Sequence, residues 1–166
     1  MFKIDLVPAN GGVSWDDCGR GEVAAILVSY SPYCVNSLRF LYFKDGELQF
    51  SEDHGKLSDS IRMIRLDYPT EVLIEVHGFR RFTYVSCGGL SSITFVTNRA
   101  TYGPFGENRA PSSSNDSIFK FRLGSEADSI NGFHGTVDRY GRLESLGVYL
   151  QTTISATRPD LKRICL

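Results

Sequence analysis

The chain has 166 residues, 42% hydrophobic and 12% aromatic, ordinary for one domain and long enough to bury a core. Eighteen basic against nineteen acidic side chains leave a formal charge of −1, so no bulk positive field exists to collect nucleic-acid phosphates or an anionic membrane. The longest purely apolar run, VAAILV at 23–28, is far short of the roughly 20 residues a spanning helix needs, which argues against membrane insertion.

In chain order the pattern is β-like: 2–7, 23–29, 37–43, 47–50, 63–65 and 72–79 are rich in β-branched, aromatic or leucine residues, and 82–85, 93–97, 101–105, 119–123, 129–134 and 143–150 continue the series. Asn10-Gly11-Gly12, Lys44-Asp45-Gly46, Gly88-Gly89, Gly103-Pro104 and Asp138-Arg139-Tyr140-Gly141 punctuate these runs as turns. Residues 55–62 form the one weak helical candidate. The expectation is an all-β domain of about twelve strands.

Internal repetition sharpens this. Ser37-Leu38-Arg39-Phe40, Ser92-Ile93-Thr94-Phe95 and Ser145-Leu146-Gly147-Val148 share a Ser–aliphatic–x–apolar core, and their serines lie 55 and 53 residues apart. Val76-His77-Gly78-Phe79 and Ile130-Asn131-Gly132-Phe133 echo one another at 54 residues. A period near 50 signals one supersecondary unit used several times. Four strands per unit make a small Greek-key sheet, and three sheets can each turn an apolar face to a common axis.

Cys18, Cys34, Cys87 and Cys165 show no C-x-x-C spacing. The N-terminal residues do not read as a secretory signal, so four free thiols are expected over two disulfides. His54, His77 and His134 lack metal-ligand spacing, and no G-x-S-x-G elbow occurs. Asp138 with Glu144, or Asp16 with Asp17, could nominally form a glycosidase pair, as any acidic turn could. The expectation is a non-catalytic protein with no cofactor and no metal.

The segment from Ser92 to Gly106 (SITFVTNRATYGPFG) resembles the signature of the jacalin-related lectins, as do Asn10 to Asp17 (NGGVSWDD) and Leu66 to Glu71 (LDYPTE). Gly132-Phe133-His134-Gly135 followed by Leu146-Gly147-Val148-Tyr149-Leu150 completes the set. The resemblance spans 1–150 as one lectin domain and leaves 151–166 as a C-terminal tail. It implies a β-prism of three four-stranded sheets with pseudo-threefold symmetry. Gly12 stands within an unprocessed chain, so the uncleaved mannose/glucose type is implied, with a cytoplasmic or nuclear location and a defence- or stress-related role in plants. Family members often form dimers or tetramers, so a homo-oligomer is expected.

A hexose needs a carboxylate to accept its hydroxyl protons, backbone N–H groups to donate, and an apolar surface beside them. The resemblance assigns these to the glycine loop (Gly11, Gly12), to the loop before the last strand and to the wall formed by Phe79 and Arg80. Counting back from Gly147, the carboxylate falls on Glu144, the backbone donors on Gly141 and Arg142, and Leu143 lies between. Here the sequence departs from the family, whose motif begins with glycine and ends in aspartate where this chain reads Tyr140-Gly141-Arg142-Leu143-Glu144. The loop from 135 to 147 is also longer than usual, so another register, using Asp138 or Gly141, stays open. Each feature also has a plain reading: Glu144 as an exposed strand-end carboxylate, Gly11-Gly12 as a hairpin turn, Trp15 as packing. The rival function is a protein-interaction module of a larger chain, with a protein partner in place of mannose- or glucose-containing glycans.

Overall fold

Three antiparallel sheets, with no helix among the described residues, make up the computed structural model, which describes residues 1–152 apart from 59, 82–88, 113, 115 and 126. The strands are β1 (Phe2–Val7), β2 (Val13–Asp16), β3 (Glu22–Ser31), β4 (Cys34–Lys44), β5 (Glu47–Phe50), β6 (His54–Gly55) and β7 (Ser60–Arg65). They continue as β8 (Leu73–Arg81), β9 (Leu90–Thr97), β10 (Thr101–Gly106), β11 (Asp116–Arg122), β12 (Asp128–Val137) and β13 (Leu143–Thr152). The first sheet runs β5-β4-β3-β7 with β6 beside β4, the second β10-β9-β8-β11 and the third β1-β13-β12-β2. This is the β-prism arrangement.

The repeated serines fall on matched strands. Ser37, Ser92 and Ser145 lie on β4, β9 and β13, the second strand in each sheet's order. The residues after them point inward: Leu38, Ile93 and Leu146 are at most 1% exposed, and Phe40, Phe95 and Val148 are fully buried. One core therefore joins all three sheets. Its centre includes Phe40 of the first sheet stacked on Phe133 of the third, with ring centroids 4.1 Å apart, a contact worth about 1 kcal/mol beyond its buried area.

The third sheet is discontinuous in sequence. β1 pairs with β13 from Phe2↔Leu150 onward, and β2 pairs with β12 from His134↔Asp16 to Val137↔Val13. β1 and β13 thus share a sheet, which carries the β1–β2 glycine loop to the β12–β13 loop.

A buried polar knot fixes β2 against the first sheet. His54 Nε2 lies 2.8 Å from the Asp17 carboxylate, and the Tyr42 hydroxyl donates to it at 3.1 Å. Burial and the neighbouring Asp17 both raise the Tyr42 hydroxyl well above its usual value. The Trp15 indole stacks on His54 at 3.8 Å, and a Cβ on Gly135 would fall 2.7 Å from that indole. Trp15 is a packing residue.

Just before β8, Glu71 closes the fold. Its carboxylate accepts Thr97 Oγ1 at 2.7 Å, the Tyr102 hydroxyl at 2.9 Å and the Asp67 N–H at 3.1 Å. Burial alone would raise this carboxyl, but these three donors, with Arg99 nearby, hold it below its ordinary value. The segments 66–71 and 92–106, singled out in the sequence, meet here.

β2 and β6 were not expected as strands; they have four and two residues, too few for alternation to register. No helical turn forms at the described residues of 55–62: Ser58 is tied to β3 through its N–H to Ser29 Oγ and its hydroxyl to the Tyr30 carbonyl, and Ser60 already belongs to β7. The expected strand at 82–85 lies outside the described residues, as do Cys87, Cys165 and 153–166. β13 continues through Thr152, two residues beyond the expected strand end. Cys18 is a free, exposed thiol, and the buried Cys34 Sγ lies 3.4 Å from Ser31 Oγ.

Candidate functional site

Positive φ angles of 96° at Gly11 and 81° at Gly12 turn the chain sharply between β1 and β2. The two glycines differ in their surroundings. A Cβ on Gly11 would meet nothing within 4 Å, whereas one on Gly12 would fall 2.4 Å from the Val137 carbonyl oxygen and 2.9 Å from Glu144 Oε2. Only bare backbone fits at Gly12, and it brings the chain's start against the β12–β13 hairpin.

Glu144 is 6% exposed, not the exposed strand-end carboxylate of the plain reading. Thr136 Oγ1 donates to Glu144 Oε2 at 3.0 Å and lies 2.8 Å from Ser145 Oγ. Arg80 Nη2 lies 3.9 Å from Glu144 Oε1, joining the second sheet to the third. A Cβ on Gly89 would fall 2.4 Å from the Leu143 carbonyl, so the entry to β9 also closes on this end. Beside Gly12 lies a shallow depression of about 170 Å³ whose lining includes Val13, Trp15, His54, Val137 and Gly141.

Gly12, Arg80 and Glu144 are thus brought together, but other expected residues stand elsewhere. Phe79 is not a wall of this site. Adjacent strand residues point to opposite faces, and Phe79 lies on the outer face of the second sheet, against the Arg81 guanidinium and in a groove with Ile118 and Pro111. Its sequence echo, Phe133, turns inward because the β12–β13 register shifts between Ile130 and Phe133, whereas β8 pairs with β9 without a shift from Val76 to Phe79. Leu143 is fully buried in the core and presents no side chain to a ligand.

The loop donors are also redirected. The Gly141 N–H donates to the Asp138 carbonyl at 2.9 Å, and the Arg142 N–H donates to Asp138 Oδ1 at 2.9 Å. Neither is an idle donor awaiting a sugar hydroxyl. Asp138 also accepts the Tyr140 N–H at 2.8 Å and Arg142 Nε at 2.6 Å. Burial would raise its carboxyl, but the Arg142 N–H and guanidinium and the Tyr140 N–H outweigh it and hold Asp138 below its ordinary value. Asp138 organises the loop.

Sequence reasoning missed Thr136, the Val137 carbonyl and Tyr140. Thr136 precedes Glu144 by eight residues, and only the hairpin register reveals that they meet. Tyr140, which stands where the family motif has a glycine, gives its N–H to Asp138.

A family model described as a jacalin-like lectin domain matches residues 4–149. Protein RESTRICTED TEV MOVEMENT 1 of Arabidopsis thaliana is 36% identical over 141 residues, covering 84% of this chain and 78% of that protein. Jacalin-related lectin 2 of the same plant is 34% identical over 151 residues, covering 86% and 79%. A mannose-binding jacalin-related lectin from Ananas comosus shares the fold with a TM-score of 0.76 at 24% identity, over 92% of this chain and 98% of that one. Single-chain recombinant jacalin gives 0.75 at 25% identity, over 91% and 95%. With a family model matched over residues 4–149, relatives above 30% identity and a three-sheet prism, the chain belongs to the jacalin-like lectin domain family.

Proposed function

We propose that the domain binds hexose-containing glycans of the mannose or glucose type, without turning them over, where Gly12, Arg80 and Glu144 converge. One observation carries this reading: Gly12, in the chain's first turn, is packed so closely on Glu144 that a Cβ would lie 2.9 Å from its carboxylate. Bare backbone beside a carboxylate that retains acceptor capacity suits a sugar hydroxyl, which donates and accepts at once. Two solved neighbours in fold, the Ananas comosus protein and artocarpin in complex with mannopentose, are described by what they bind, which puts mannose first among the sugars to test.

The test is a titration of the full chain with methyl mannoside, methyl glucoside and an oligomannose array, alongside Glu144→Ala. The expected result is weak saturable binding, on the order of millimolar for a single sugar, that Glu144→Ala reduces at least about tenfold, the value of one charge-assisted hydrogen bond. No binding to any glycan at millimolar concentration sinks the proposal. A second reading, a protein-interaction module, is favoured by the engagement of the Gly141 and Arg142 N–H groups with Asp138. Absence of glycan binding would make it the better account.

A further inference from the structure

The β12–β13 loop keeps its neutral backbone donors for itself, since Asp138 takes the N–H groups of Tyr140, Gly141 and Arg142. What it turns outward is different. Tyr140 is 59% exposed, and the guanidiniums of Arg139 and Arg142 lie 4.8 and 5.0 Å from its ring centroid. Lys56 stands beside the loop, its Cβ 3.8 Å from where a Cβ on Gly141 would be. Arg80 approaches Glu144 from the second sheet.

On a chain whose formal charge is −1, the loop thus holds Arg139 and Arg142 at the Tyr140 ring, with Arg142 also meeting Asp138, while Arg80 meets Glu144. The Asp138 side chain is 15% exposed and lies 2.6 Å from Arg142 Nε, so its charge is met within the loop. Asp53, which also borders the depression, lies 3.9 Å from Arg39 Nη1. Arg139 is exposed, and the ring beneath it is its aromatic neighbour.

The rim thus presents charged N–H edges beside an exposed phenol ring and its hydroxyl. A charged donor holds an anionic acceptor about twice as strongly as a neutral one, and guanidinium geometry matches carboxylate, sulfate and phosphate oxygens. We infer that the preferred ligand is an acidic saccharide: a hexose seated at Gly12 and Glu144, with an anionic substituent reaching the Arg139–Tyr140–Arg142 rim. This rests on the glycan reading of the same site.

The experiment titrates the full chain with methyl mannoside, mannose 6-phosphate, methyl glucuronide and poly-glutamate, at ionic strengths of about 0.02 and 0.5 M. The expected result is that at least one acidic sugar binds about 3- to 10-fold tighter than methyl mannoside at low salt. That advantage shrinks at high salt and falls towards one in Arg139→Gln. Which acidic sugar leads distinguishes a phosphate from a uronate source. Saturable methyl mannoside binding with no acidic preference, or a preference untouched by Arg139→Gln, overturns the inference and leaves the glycan reading standing. Poly-glutamate matching the acidic sugars overturns it too, because the rim would then read charge without a sugar ring. Failure of every sugar, neutral and acidic, overturns the glycan reading itself.

Discussion

Glu71 and Glu144 lie near opposite ends of β8 and are almost equally buried, at 5% and 6% exposure. Their surroundings differ. Glu71 accepts two hydroxyls and a backbone N–H, all from groups that close the fold. Glu144 accepts the Thr136 hydroxyl, with the nearest Arg80 nitrogen at 3.9 Å. A carboxylate has about four lone-pair sites, so the first is nearly saturated by its own chain and the second is not. A buried carboxylate with spare capacity beside glycine backbone is suited to a ligand. One that is filled is suited to holding a turn. The difference lies in the partners rather than in burial.

The sharpest way to break this contrast is to remove each carboxylate in turn. Glu71→Ala strands the Tyr102 hydroxyl and the Asp67 N–H, and should cost about 2–4 kcal/mol, seen as a fall in Tm of about 5–15 °C. Glycan titration at the intact end should be unchanged below that transition. A loss of stability as large for Glu144→Ala would erase the distinction.

Gly12→Val comes next. A side chain at this positive φ meets the Val137 carbonyl at 2.4 Å, and strain with overpacking should cost about 2–3 kcal/mol. Here glycan binding should vanish while the protein remains folded at 20 °C by circular dichroism. Retained affinity would separate Gly12 from the site.

The smallest effect is in acid. The Glu71 carboxyl titrates below its ordinary 4.5, so its ionised form favours the folded state. That contribution is complete above the ordinary value and is lost as pH falls through the lowered one. Glu71→Gln should therefore show a flatter decline of stability below about pH 4.5 than the parent chain, measured by urea unfolding across the acid range. An unchanged slope would mean that Glu71 gains nothing from its donors.

Much of the prism was legible. The Lys44-Asp45-Gly46 turn is one instance: Asp45 and Gly46 take positive φ angles of 52° and 84° between β4 and β5, as a tight hairpin requires. The serine repeat is another, because identical core demands in three sheets call for the same inward pair of apolar residues. Phe79 was misplaced for a physical reason. The resemblance sets it beside Arg80 in one wall, yet neighbouring strand residues point to opposite faces, so Arg80 turns to Glu144 and Phe79 to the outer groove. Asp138 was read as an alternative sugar ligand, because a carboxylate's type is visible in sequence while its acceptor occupancy is not.

By itself, then, the sequence settled the all-β class and the threefold repetition, because alternation, glycine turns and recurring strand strings are written residue by residue, while its longer motifs carried the resemblance to the family. Tertiary structure alone decided how β1 and β13 pair, that Gly12 packs on Glu144 with no room for a Cβ, and that Arg80 rather than Phe79 faces them. Those outcomes depend on strand register across more than a hundred residues, where a one-residue shift exchanges one face of a strand for the other.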